Sequence, residues 1–372
     1  MVSMDEALRQ VDEWVSPRGV PGVAVAVWHR GEVVSSHRAG EARPGSPVDD
    51  DTLFALASVT KPIAAATVVS LIEEGSLGLD DRVGSYLPAF AVSSDDPADP
   101  DSARGAVTIR HLLCHLSGLP EDLAARDHRL DHRPDLSALT DQMAALPLRS
   151  RPGETLRYSN AGYAVLARLA ESVGSDGFWA LTRDRILLPL GLNDIVARPD
   201  GTDLDRVAHT AEAVNPGTDV ESYNSAYWRG LAIPWGGLYG TVGDAVRFAA
   251  SFVPGDWADD DHPLSPAGRA AMITDQVDGR PGGVESGKVW WDRAAWGLGW
   301  EVKGEKTRHW TGTSTSPRTF CHFGQAGTLV WADPTRDLAM AVFANRTVTR
   351  MWGFILPRWV RLSDAVVEAS GK

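Results

Sequence analysis

Ser58-Val59-Thr60-Lys61 opens a run of apolar residues, Ala64-Ala65-Ala66-Thr67-Val68-Val69-Ser70-Leu71-Ile72-Glu73-Glu74, which Gly75 closes. The run reads as a helix with a glycine stop. Pro62 lacks an amide hydrogen and fits only an opening turn, so the helix begins close to Ser58. Residues three apart share a helical face, which brings the Lys61 amine toward the Ser58 hydroxyl. A serine hydroxyl is a poor nucleophile until a neighbour takes its proton, and a lysine does this only when part of it is neutral. Burial, nearby positive charge and a helix start all lower a lysine pKa. The Ser58 backbone N–H, unpaired at the helix end, is free to face a developing oxyanion. Taken alone, the tetrapeptide also describes an N-capping serine followed by a solvated lysine.

Two further motifs follow in order. Pro152-Gly153-Glu154-Thr155-Leu156-Arg157 leads into Tyr158-Ser159-Asn160, and Ala164 to Ala170 then reads as a helix. A tyrosine at such a junction can shuttle a proton between nucleophile and leaving group if a cation such as Lys61 lowers its pKa, and Asn160 can hold the lysine or a substrate amide. The other reading is a half-buried aromatic beside a helix cap. His322-Phe323-Gly324 opens the second set, Gln325-Ala326-Gly327 and the strand-like Thr328-Leu329-Val330-Trp331, which turns through Asp333 to Asp337 into Leu338 to Phe343. The short loop predicts a hairpin. Gly324 and Gly327 let a substrate lie close along the backbone, and His322 puts a donor beside the nucleophile.

With these three motifs the chain resembles the serine β-lactamase and penicillin-binding-protein superfamily, on the branch of class C β-lactamases, D-Ala-D-Ala carboxypeptidases and β-lactamase-like esterases. Thr108 to Pro120, Gly236 to Asp244 and Ala344-Asn345-Arg346 extend the likeness from about Val20 to about Arg346. The resemblance implies Ser58 as nucleophile, Lys61 as its base, Tyr158 as acid/base partner and Asn160 as a positioning residue. His322-Phe323-Gly324 stands where the β-lactamases usually carry Lys-Thr-Gly, and the Gln325 N–H would join that of Ser58 as an oxyanion donor.

That third motif narrows the substrate. Phe323 donates no hydrogen bond and His322 is only partly charged at pH 7, so recognition of a substrate carboxylate is weaker. A lost charged hydrogen bond of about 1.5–3 kcal/mol corresponds to roughly ten- to a hundredfold in affinity. Arg346 offers an anion contact from another direction, or is an ordinary surface arginine. The expectation is a serine hydrolase acting through an acyl-enzyme on a small ester or amide, with esters preferred. β-Lactamase, D-Ala-D-Ala carboxypeptidase or D-aminopeptidase activity, acyl transfer to an alcohol or amine, and a non-catalytic binding role on the same fold are the alternatives. No Glu-x-x-Leu-Asn phrase matches the deacylating glutamate of class A enzymes, which leaves Tyr158 with Lys61 to activate water.

The net charge of −13 disfavours nucleic acid or an anionic membrane as partner. No apolar run approaches a membrane span, and the polar start Met1 to Glu6 lacks the core of a signal peptide, which points to the cytoplasm. Oligomeric state is not legible. Neither a cofactor nor a metal is expected: there is no coenzyme fingerprint, Cys114 and Cys321 make no disulfide scaffold, and His111, Cys114 and His115 lack a further ligand at familiar spacing. Cys321 reads as a buried strand cysteine.

The organisation implied is α/β (α+β), an antiparallel sheet flanked by helices and interrupted by a largely helical inserted region. The sheet domain takes 1–78 and 251–372, the helical region 79–250, and the site lies in the cleft between them. An amphipathic helix from Ser3 to Val15 precedes a hairpin, Val23 to Trp28 and Val33 to His37, turning at Arg30-Gly31. Ser93 to Ser102 reads as an exposed insert, strands return at Trp296 to Val302 and Arg308-His309-Trp310, and Met351 to Ala369 forms a helix against the sheet. Trp228, Trp235, Trp291, Trp296 and Trp310 fall in segments able to rim the cleft, or to sit in the core.

Overall fold

The computed structural model describes residues 2–91, 94–123, 132–255, 261–307 and 309–371. Its main sheet has seven strands in the order β10-β11-β12-β13-β1-β2-β3. These are β1 (Gly22–His29), β2 (Glu32–Arg43), β3 (Ser46–Pro47), β10 (Glu301–Val302), β11 (Phe320–Gly324), β12 (Thr328–Asp333) and β13 (Leu338–Ala344). Every pairing in it is antiparallel, with Val25 opposite both Val342 and His37. The β1–β2 hairpin turns at Arg30-Gly31 as expected, both with positive φ, which matches the right-handed twist of the strands.

Period-two alternation explains why the sheet is covered on both faces. Ala24, Ala26, Ala339 and Ala341 point to one side, where their small size admits a helix close to the sheet; Val23, Val25, Val27, Met340 and Val342 point to the other. Of the ten α-helices among the described residues, α2 (Thr60–Glu73) and α8 (Val242–Ala250) belong to the first side, and α1 (Met4–Arg9) and α10 (Trp352–Ala369) to the second. The others are α3 (Ile109–Leu113), α4 (Leu136–Ala144), α5 (Asn160–Val173), α6 (Phe178–Thr182), α7 (Ala226–Leu231) and α9 (Pro266–Ile273). α2 is buried around nearly its whole circumference, in a core continuous from the sheet through α5 and α8. Two small sheets, β4 (Phe54–Ala55) with β7 (Tyr239–Gly240) and β6 (Ile195–Val196), and β5 (Leu156–Arg157) with β8 (Gly282–Val284) and β9 (Val289–Trp291), tie the segments around the cleft together.

The structure departs from the sequence expectations in three places. The expected Ser3 to Val15 helix is α-helical only over Met4–Arg9 and tightens into a 3-10 helix over Gln10–Trp14. Trp296 to Trp300 is a turn apart from an isolated bridge of Trp296 with Glu301, because Gly299 takes positive φ and comes so close to α2 that a Cβ there would collide with Ala65. His309 and Trp310 form no strand; the His309 ring is drawn inward to Glu301 and Thr311. Arg308 lies outside the described residues, as does Ser93 at the start of the expected insert. Among the described residues, no helix is long and apolar enough to cross a membrane.

Candidate active site

Ser58 sits on a single turn of 3-10 helix, Ala57–Val59, that feeds α2. Ala57 adopts φ +47°, a conformation costly for a residue with a Cβ and sustained only when the surroundings fix it. Three contacts do so. The Leu56 N–H donates to the Leu238 carbonyl (2.8 Å), the Thr328 hydroxyl donates to the Leu56 carbonyl (3.0 Å), and the Leu238 N–H donates to the Thr60 hydroxyl (3.2 Å). Gly324 belongs to the same clamp: a Cβ on it would run into the Leu56 carbonyl and the Thr328 hydroxyl. Its smallness thus lets β11 approach the turn that carries Ser58.

One helical turn on, Lys61 is fully buried, with Nζ 3.0 Å from the Ser58 Oγ and 2.7 Å from the Trp235 carbonyl. Burial brings its pKa down to about 7, against the pull of the Glu121 and Asp122 carboxylates, which favour the charged amine. The amine lies 4.8 Å from the centre of the Tyr158 ring. Tyr158 follows β5, its N–H donating to the Gly283 carbonyl (3.1 Å), and its phenol lies beside the Ser58 side chain. The Lys61 cation does not lower the phenol pKa as its proximity in the motif predicts. Burial instead drives it well above 10, so Tyr158 is a protonated phenol.

Asn160 opens α5 behind the Ser159 N-cap, whose Oγ accepts from the Gly162 N–H (2.9 Å). The Asn160 amide donates to Asp122 (2.9 Å), and the lysine is held by Ser58 and the Trp235 carbonyl instead. His322 lies on the site face of β11 but is buried behind Tyr158, ring centres 5.9 Å apart. Its Nδ1–H donates to the Phe323 carbonyl (2.9 Å), which leaves Nε2 a bare acceptor, and burial with Lys61 nearby brings its pKa to about 3. His322 is therefore a neutral ring that offers no donor, a correction to the partly charged donor expected. Phe323 points through the opposite face to Trp310, Trp352 and Trp359. The Arg346 guanidinium is engaged by the Gly19 carbonyl and by Glu212, away from the cleft.

Ser58, Asn160 and Gln325, one residue from each motif region, line a single cleft of about 810 Å³. Leu123, Tyr223, Trp228, Ile233 and Trp235 form an apolar wall, and Glu121, Asp122, Glu285 and Ser286 a polar one. Glu121 accepts from the Ser286 N–H (2.8 Å), and Arg157 is paired with Glu285. Of the five tryptophans named from sequence, Trp228 and Trp235 line the cleft, Trp296 backs Tyr158, and Trp291 and Trp310 pack on each other elsewhere. The Trp235 carbonyl, Glu121 and Asp122 were not legible as site groups, because loops carry no periodic signal; the phrase ending at Pro120 was the only pointer to the two carboxylates.

His111, Cys114 and His115 have separate partners: His111 completes the cap of α3, Cys114 turns to the Arg110 carbonyl, and His115 accepts from the Ser159 N–H. Glu301, His309 and Cys321 do place potential ligand atoms within 4.8 Å of one another. The Lys306 ammonium already bonds Glu301 there at 2.8 Å and satisfies that buried charge. Cys321 is buried on the sheet face away from the cleft, and burial pushes its thiol well above the ordinary range.

Residues 5–359 match the model of the family described as Beta-lactamase. The chain is 35% identical over 270 residues to penicillin-binding protein 4 of Amycolatopsis lactamdurans, covering 70% of this chain and 66% of that protein. It is 32% identical to esterase EstB of Burkholderia gladioli over 72% of this chain and 64% of the esterase. The chain thus spans just under two thirds of the length of each of these two relatives. A penicillin-binding-protein homologue from Caulobacter crescentus superposes with a TM-score of 0.77 at 26% identity, over 98% of this chain and 96% of that one. The chain belongs to the beta-lactamase family of serine hydrolases.

Proposed function

We propose that this hydrolase is an esterase-like acyl-enzyme former with Ser58 as nucleophile. The observation that carries the reading is the fully buried Lys61 amine, 3.0 Å from the Ser58 hydroxyl and with its pKa lowered to about 7. About half of such an amine is neutral at pH 7 and able to accept the hydroxyl proton as Oγ attacks an ester carbonyl. The Ser58 and Gln325 N–H groups would face the oxyanion; neither donates to a backbone carbonyl among the described residues. As the carbonyl re-forms, the Tyr158 phenol gives its proton to the leaving alkoxide and regains one from the Lys61 ammonium. Water then repeats the sequence on the acyl-enzyme, with Lys61 as its base.

Preference for esters over β-lactams rests on His322. A neutral, buried imidazole stands where a cation would meet a substrate carboxylate, and the apolar wall of Trp228, Ile233 and Trp235 suits an uncharged acyl or alkyl group. The relative named esterase EstB supports the same reading. Measuring kcat/KM on short-chain p-nitrophenyl esters, nitrocefin and D-Ala-D-Ala peptides tests it: esters should lead, and nitrocefin turnover equal or faster would reject it.

A further inference from the structure

His115 lies outside the three motifs, yet it holds the backbone on both sides of Tyr158. The Arg157 N–H donates to the His115 carbonyl (2.8 Å), and the Ser159 N–H donates to the His115 Nδ1 (3.0 Å). With the Tyr158 N–H on the Gly283 carbonyl, all three successive amides are fixed, two of them by this one residue. A single residue can turn both its carbonyl and its ring toward the same strand here because His115 adopts φ +61°, rare for a side chain of this size. A backbone N–H can only donate, so Nδ1 is unprotonated and the ring is neutral with its hydrogen on Nε2. The ring is fully buried against the Tyr158 ring, centres 4.6 Å apart, and is wedged on its other sides by Trp296 (4.8 Å) and Tyr163 (5.4 Å).

We infer that His115 is a positioning residue that sets the Tyr158 hydroxyl between Ser58 and the leaving group. The inference rests on Tyr158 being the proton donor to that group. Misplacing a reacting group by about an ångström costs roughly a hundredfold, so a residue that fixes both backbone and ring of Tyr158 acts on rate without touching substrate.

Two variants separate its contributions. His115→Asn keeps an acceptor at the Nδ1 position and tolerates positive φ but removes the ring; His115→Phe keeps the ring and removes the acceptor. Each is assayed on methyl butyrate, whose alkoxide must be protonated to leave, and on p-nitrophenyl butyrate, whose phenolate needs little help. Both esters give one acyl-enzyme, whose hydrolysis also uses Tyr158, so the acylation half-reaction is read as the single-turnover rate. In it His115→Asn should slow the methyl ester by about ten- to a hundredfold and the nitrophenyl ester by less than about threefold, with substrate affinity nearly unchanged. In a Tyr158→Phe background the same substitution should have no further effect on the methyl ester, because the group it positions is gone. Equal losses on both esters, or losses that add to those of Tyr158→Phe, mean a structural role and overturn the inference. If Tyr158→Phe itself leaves methyl ester turnover intact, or neither ester is turned over, the reading of the site fails first and takes this inference with it. Should neither His115 variant fold, the Tyr158 ring-flip rate in the unaltered enzyme decides by NMR: a slowly flipping ring supports the clamp, and a rapidly averaging one refutes it.

Discussion

Acylation should track the titration of Lys61. With a pKa of about 7, its neutral fraction is roughly a tenth at pH 6 and roughly nine-tenths at pH 8. The rate of the first turnover on p-nitrophenyl butyrate, followed by stopped flow, should therefore rise about tenfold over that interval and level off above it. The two carboxylates that oppose the shift give a second handle. Glu121→Gln removes an anion that favours the ammonium, so the limb should move to lower pH, by up to about one pH unit or roughly 1.4 kcal/mol. The protein stays folded in the comparison because Gln can still accept from the Ser286 N–H. A rate flat between pH 6 and pH 8, a limb near pH 10, or a Glu121→Gln limb displaced upward would show that a neutral Lys61 is not the base.

Lys61→Met should stabilise the fold, since the drop from 10.5 to about 7 corresponds to roughly 5 kcal/mol against the charged amine, offset in part by the abandoned Trp235 carbonyl. The unfolded chain holds this proton from pH 7 to about 10.5 while the folded one does not, so wild-type stability rises with pH through that window. The gain in Lys61→Met, about 2–4 kcal/mol by urea unfolding, should thus be full at pH 7 and below and fade toward pH 10. Gly324→Ala should cost about 1–3 kcal/mol and most of the activity, because the new methyl pushes on the Leu56 carbonyl and shifts the Ser58 turn. Asn345→Ala should cost about 2–4 kcal/mol in thermal or urea unfolding with kcat preserved in the folded fraction, since its buried amide satisfies the Gly22 N–H and the Glu41 and Ala42 carbonyls between β1 and β2.

The parts of this molecule that sequence made legible are those with local signals. The Arg30-Gly31 hairpin, the apolar helix opened by Pro62 and closed by Gly75, and the carboxy-terminal helix each follow from short-range pattern. The Ser58–Lys61 contact follows from helical spacing alone. What was missed is long-range. Nothing near Trp235 in sequence says that its carbonyl will hold Lys61, and nothing near His322 says that its ring will be buried and neutral, since burial is a property of the assembled core. The same holds for Tyr158: neighbouring charge was visible in the motif, desolvation was not, and desolvation sets the direction. In sequence His115 offers a metal reading with His111 and Cys114 and a place in the Thr108 to Pro120 phrase, whereas its φ and its bonds to the amides of Arg157 and Ser159 exist only in three dimensions.

The most direct measurement is covalent labelling with a fluorophosphonate, read by peptide mass spectrometry. A serine activated by Lys61 should carry the label at Ser58 alone, lose it in Ser58→Ala and lose roughly a hundredfold or more of the labelling rate in Lys61→Arg, whose guanidinium keeps its proton. Labelling at another residue, or an undiminished rate in Lys61→Arg, would contradict the mechanism.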